Sequence, residues 1–268
     1  MHLKLDNENI YYKEEGKAEK IFVMIHNAGG NHKFFQEQIK IFSNIGKVFA
    51  IDLPGHGLTK TMDKQYSILK YAKIIIKFIK KLNLNNICLI GLNNGANIGI
   101  EILNNNGDEF IDELILIDPP LFMKENFILE IEEFIDKLNT PNIEHFIEDL
   151  TSLLFIKAPN DIKLIAKQSF KSVSVRILIS IFKDLINWNK NCNEKLLAIN
   201  IPTLCIITDE HHCSYNKINN LNKNFEIGKV VGSKCWATLE VPEQINAMIL
   251  RFLELQNLLI SHILKKQK

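Results

Sequence analysis

Ile87–Ile90 (Ile-Cys-Leu-Ile) is an unbroken apolar run bounded by turn formers, the pattern of a buried strand. From Gly95 the apolar positions take helical spacing through Ile98, Ile100 and Leu103. Between the two lies Gly91-Leu92-Asn93-Asn94-Gly95. Two glycines so placed fit a sharp strand-to-helix turn, in which the central residue is pushed outward and no side chain crowds it. The same alternation runs along the chain. Residues 2–14 read as two short strands around the polar turn Asp6–Asn9, and Ile21–His26 as a central parallel strand. Phe34, Phe35, Ile39 and Phe42 give one apolar helix face, and Lys47–Asp52 is the next strand. Ser67 is placed to cap a helix over 68–82. A strand over Leu114–Asp118 ends at Pro119-Pro120.

From 121 to 193 no strand pattern stands out, and apolar residues recur at helical spacing (Phe127, Ile131, Phe134, Ile135; Phe146, Leu150, Leu153, Leu154). Strands resume at Pro202–Ile207 and Phe225–Val231, and a helix over Pro242–Leu259 closes the pattern. Strands alternating with helices predict an α/β fold: a mostly parallel central sheet of about eight strands, flanked by helices on both faces. The sequence divides into a core of 1–120 and 194–268, with a helical cap, 121–193, inserted after the sixth strand. Such a cap covers the carboxyl edge of the sheet, where ligands bind in these folds.

Composition narrows the function more than the fold. A net charge of +1 over 268 residues offers no basic field for nucleic acid. No apolar run reaches the roughly 18 residues of a membrane span, and the residues from Met1 lack a signal-peptide pattern. The five cysteines, Cys88, Cys192, Cys205, Cys213 and Cys235, have no framework spacing, so reduced thiols and a cytoplasmic location are expected. No cofactor signature is present, since no Gly-x-Gly-x-x-Gly opens the helix after Gly29-Gly30. His211-His212-Cys213 with Cys235 is a poor chelating set, because structural zinc sites space their ligands, so no metal is expected.

Four stretches together resemble the α/β-hydrolase family: His26-Asn27-Ala28-Gly29-Gly30, Asp52-Leu53-Pro54-Gly55-His56-Gly57, the turn Gly91–Gly95, and Leu239-Glu240-Val241-Pro242-Glu243. The resemblance implies a nucleophile elbow at Gly91–Gly95 and a Ser–acid–His triad in that chain order. The triad residues differ here. The serine position holds Asn93, whose carboxamide has no ionisable proton. Counting past the strand at Ile201 places His211 at the acid position, just after Asp209 and Glu210, and the residue before Trp236, the histidine position, is Cys235. The family's oxyanion hole maps onto the backbone of Ala28, beside Asn27, and of Asn94.

Two readings of the site follow. In the first, the chain is a non-hydrolytic relative that binds a small apolar carbonyl ligand in a pocket between cap and sheet. In the second, an active acyl hydrolase, transferase or lyase uses a relocated Cys235–His211 pair, with the imidazole lowering the thiol pKa. Cys88 and Cys205 sit inside strand runs and read as core, and His26 and His56 as structural. Asp118 reads as a cap at the start of the insertion, and Trp236 as packing. Ser67 and Ser233 lack an elbow and are not nucleophiles on this reading.

Overall fold

The computed structural model describes residues 1–62, 65–140, 145, 147–148, 158–209, 214, 217–218, 220–234 and 236–266, with side chains up to 257. Within them lie strands β1 (His2–Leu5), β2 (Glu8–Glu15), β3 (Ile21–Ile25), β4 (Lys47–Ile51), β5 (Ile87–Leu92), β6 (Ile111–Ile117), β7 (Thr203–Ile207) and β8 (Phe225–Lys229). They form one sheet in the order β1-β2-β4-β3-β5-β6-β7-β8. β1/β2 and β2/β4 pair antiparallel and every other neighbour pairs parallel. Register is tight at the centre: Ile25 lies opposite both Ile51 and Gly91. The central strands are buried on both faces, which is why they read as continuous apolar runs.

Alternate side chains of β3 enter two separate cores. Phe22 and Met24 join Phe34, Phe35 and Phe42 on one face, while Val23 and Ile25 join Ile75, Phe78 and Ile98 on the other. α1 (Gln36–Phe42) and α9 (Pro242–Lys266) cover the first face, and α2 (Ile68–Lys81) and α3 (Asn94–Leu103) the second. Ser67 caps α2 as its position suggested, accepting from the Lys70 amide at 3.1 Å. The helix expected from Phe34 begins instead as a 3-10 turn, His32–Phe35, whose cap Asn31 accepts from Lys33 N–H. The last helix runs past Leu259 to Lys266, after a short turn α8 (Ala237–Glu240).

Among the described residues between β6 and β7 lie four helices: α4 (Glu125–Leu138), α5 (Asn160–Lys171), α6 (Val175–Asn189) and α7 (Cys192–Leu197). Phe146, Leu150, Leu153 and Leu154 lie outside the described residues. The inserted helices are tied to the sheet layer by buried and partly buried polar contacts. Glu101 on α3 accepts from Trp188 Nε1 at 2.8 Å and Lys195 Nζ at 2.5 Å. Asp184 accepts the Ile68 amide at 2.7 Å, and Asn31 donates to Ser169 Oγ at 2.8 Å. Asp118 does not cap the insertion: α4 starts after Lys124, and the Asp118 side chain accepts from Thr208 Oγ1 at 3.1 Å. The end of β6 is fully buried, so its carboxylate is held by the neighbouring strand's end rather than by a helix.

Candidate functional site

The turns after β3, β4, β5, β6 and β7 meet at the carboxyl edge of the sheet. Two glycines let β5 turn into α3. A Cβ on Gly91 would lie 2.5 Å from Ala96 Cα, and one on Gly95 would lie 2.4 Å from Ile25 O. Both neighbours are backbone, so neither position accepts a side chain without moving a chain segment. Between them Asn93 takes φ 50° and ψ −121°, a conformation that costs a non-glycine residue about 1–3 kcal/mol. Asn93 is held there by its N–H, which donates to Ile117 O at 2.7 Å, and by its carbonyl, which accepts from Ala96 N–H at 2.8 Å. Its Nδ2 donates to Asp118 O at 3.3 Å.

The elbow therefore has nucleophile-elbow geometry with a carboxamide at its tip. Ala28 N–H donates to Asn94 Oδ1 at 2.5 Å. Asn94 N–H donates to Asn93 Oδ1 at 2.9 Å. The two donors that would make an oxyanion hole are thus each engaged by a side-chain oxygen of the elbow itself. The amide orientation of Asn94 is fixed by chemistry, because only its oxygen can accept from Ala28. The opposite end, Asn94 Nδ2, is buried with no hydrogen-bond partner among the described residues, and the residue is 2 % exposed. Asn27 Oδ1 is likewise buried without a partner, while Asn27 O accepts from His26 Nδ1 and Gly30 N–H at 2.8 and 2.9 Å.

Behind these loops sits a neutral histidine pair. His26 and His56 rings lie 5.0 Å apart, both fully buried or nearly so. His26 Nε2 accepts from Leu53 N–H at 3.0 Å, which makes its Nδ1 the donor to Asn27 O. His56 Nδ1 faces Pro54 O at 3.3 Å and its Nε2 has no partner. Burial lowers His26 to about 4 and, with the His26 charge adding to it, His56 to about 3. Burial pushes the Asp52 carboxyl up, but the hydrogen bond from His32, nearby histidine charge and the Leu58 N–H outweigh it, leaving the group below its ordinary value. Asp52 also accepts from His32 N–H at 2.7 Å and thereby pins the turn after β4 to the 3-10 turn, His32–Phe35, that follows β3.

On the far side, Asp209 accepts from Gly232 N–H at 2.8 Å and lies 3.6 Å from Lys229 Nζ. Ser233 donates to Glu240 at 2.6 Å. Trp236 packs edge-on against Phe34 at 5.5 Å. Glu210, His211, His212, Cys213 and Cys235 lie outside the described residues, and with them the Cys–His pair and the histidine–cysteine cluster. Among the described residues no group of His, Cys, Asp or Glu is placed to hold a metal ion. The amide oxygens in the hole were not legible as such. Asn93 and Asn94 stand in the sequence, and only the rotamer of Asn94 shows which backbone donor it meets.

Comparison with known proteins agrees with the fold. A family model described as the alpha/beta hydrolase fold matches residues 20–223, and the chain belongs to that family. An (E)-2-((N-methylformamido)methylene)succinate hydrolase of Acinetobacter baylyi is 30% identical over 91 residues, 34% of each chain. The matched stretch thus spans about a third of that relative's length. An esterase from Exiguobacterium antarcticum superposes with a TM-score of 0.82 at 18% identity, covering 93% of this chain and 97% of that one. A bromoperoxidase from Bacillus anthracis gives 0.81 at 18% identity, covering 92% and 96%. At such identities the two superpositions speak to fold alone.

Proposed function

We propose that this chain is a non-hydrolytic α/β-hydrolase relative that holds a small apolar carbonyl compound between the cap and the sheet. The observation that carries the reading is the filled oxyanion hole: Ala28 N–H and Asn94 N–H each donate to an Asn side-chain oxygen. Acyl transfer needs those donors free to meet the developing oxyanion, and a nucleophile beside them. Asn93 supplies no nucleophile. The unpartnered Asn94 Nδ2 is a donor, so an acceptor such as a ligand carbonyl satisfies it. Cap side chains make the neighbourhood apolar. Phe170 lies against Gly29 so closely that a Cβ there would be 2.2 Å from its ring, and a Cβ on Gly55 would be 2.4 Å from Ile177 Cδ1.

The test is turnover of p-nitrophenyl acetate, butyrate and octanoate, beside thermal shifts with medium-chain ketones and their matched alcohols. The expected result is no saturable hydrolysis, with ketones raising the melting temperature above the alcohols. Saturable turnover that disappears in Cys235→Ala overturns the proposal in favour of the relocated Cys235–His211 pair. The hydrolase and esterase names of the relatives are what favours that second reading.

A further inference from the structure

An asparagine side chain can close onto its own backbone when the nitrogen of the next residue reaches Cγ, in a five-membered ring of N, C, Cα, Cβ and Cγ. The ring closes only if that nitrogen and Cβ are nearly eclipsed about the Cα–C bond. In an L residue Cβ stands a third of a turn from N about this bond, so eclipse falls at a ψ of about −120°. Helical ψ, about −42°, and strand ψ, about 135°, both hold the nitrogen far from Cβ. Asn93 has ψ −121°. The close approach is visible in the hydrogen bond already described: Asn94 N lies 2.9 Å from Asn93 Oδ1, the oxygen carried by that Cγ. The ordinary explanation of such a contact is a helix cap, but a cap accepts from the second or third helical amide. Asn93 accepts from Asn94, the first residue of α3, which is the nitrogen the ring needs.

The elbow makes this rare conformation the resting one. Asn93 N–H donates to Ile117 O at 2.7 Å, and its carbonyl accepts from Ala96 N–H at 2.8 Å, so rotation about ψ is blocked. The bond to the carbonyl also draws charge from the peptide unit that Asn93 shares with Asn94 N. That nitrogen stands at the amino end of α3, where the helix dipole favours loss of a proton. Asn93 is partly exposed, so water reaches it. Sequence alone points to other positions, Asn94-Gly95 and Asn106-Gly107, because a glycine nitrogen is uncrowded. The fold protects both of these: Asn94 is helical, and Asn106 has ψ 32°, far from eclipse.

We infer that Asn93 is a site of self-modification, at which the carboxamide closes onto Asn94 N and water opens the ring to a carboxylate. In the first step hydroxide takes the proton of Asn94 N, and the nitrogen bonds to Asn93 Cγ. The Cγ–Nδ2 bond breaks, and Nδ2 takes a proton from water and leaves as ammonia. In the second step water adds to either carbonyl of the cyclic imide and breaks its bond to the shared nitrogen, which regains a proton. Attack at Cγ leaves an aspartate at position 93, and attack at the backbone carbon leaves a chain routed through the side chain. No electrons are transferred. Either product places an ionised group at the elbow's tip where a neutral amide stood. The inference depends on the backbone of the elbow and not on whether a carbonyl ligand binds there.

Incubation of the full chain in mildly alkaline buffer, folded and in urea, tests it. Digestion in acid and fragment-ion masses then locate each change. In the folded chain Asn93 is expected to lose one ammonia and then gain one water, about tenfold faster than Asn106 does. Hydroxylamine is expected to trap the ring as a hydroxamate at position 93. In urea ψ is free, and Asn106 should overtake Asn93. The inference is overturned if Asn93 remains intact in the folded chain after Asn106 has converted, or if Asn93 converts as fast in urea as when folded. Conversion of Asn93 with no trapped hydroxamate would mean direct hydrolysis and would equally overturn the ring. The readout is a mass at one residue, so it stands apart from ester turnover and from ketone binding.

Discussion

Lowering the pH from 7.5 to 5 destabilises this protein through His26 and His56. In the unfolded chain both titrate near the ordinary value of about 6.5. In the folded chain burial holds them at about 4 and about 3. Between these values the unfolded state binds more protons, so stability is full above the unfolded value and is lost as pH falls through it. Integrating from pH 7.5 to 5 gives a loss of about 2 kcal/mol for each ring, about 4 kcal/mol together. The sum changes little if either folded value moves by a unit, because at pH 5 the folded rings remain mostly neutral. Glu113 and Asp184, both raised by burial, act in the opposite direction near the acid end of the range. Asp52, held below its ordinary value, adds its own loss only at lower pH. Urea unfolding followed by circular dichroism at half-unit pH steps measures the slope. His56→Asn keeps a donor for Pro54 O and removes one titrating ring, so the slope should fall by about half. A wild-type midpoint unchanged between pH 7.5 and 5, or a variant slope equal to wild type, would refute buried neutral histidines.

Glu101→Ala leaves Lys195 without its buried carboxylate and Trp188 Nε1 without an acceptor, and should cost about 3 kcal/mol. A falling melting temperature with red-shifted Trp188 fluorescence would show it, and a change within error would mean that the inserted helices dock without this pair. Ser67→Ala removes the α2 cap and should lower stability by about 1 kcal/mol by chemical denaturation. Gly95→Ala places a methyl against Ile25 O, and loss of soluble folded protein or a melting point far below wild type is expected. A Gly95→Ala protein as stable as wild type would mean the elbow is looser than described.

The fold was legible because its signals are local. Ile21–Ile25 and Ile87–Leu92 are apolar throughout, so their burial on both faces followed from the pattern. Gly91, Asn93 and Gly95 marked the elbow because a backbone contact at each glycine forbids a side chain. Asp118 was misplaced because its partner Thr208 is 90 residues away, and no local pattern reports a pairing across strand ends. The filled hole was hidden for a related reason. The Asn94 contact with Ala28 spans 66 residues and depends on one side-chain rotamer, which neither spacing nor composition encodes.

The central claim is that the elbow's own carboxamide oxygens occupy the two backbone donors. Scalar coupling across a hydrogen bond reads this directly in the deuterated, 15N,13C-labelled protein. The geometry predicts a coupling between the Ala28 amide nitrogen and the Asn94 side-chain carbonyl carbon, lost in Asn94→Ala together with faster exchange of the Ala28 proton. An Ala28 amide that shows no such coupling, and exchanges at the same rate in wild type and Asn94→Ala, would mean that the hole is open and would contradict the account.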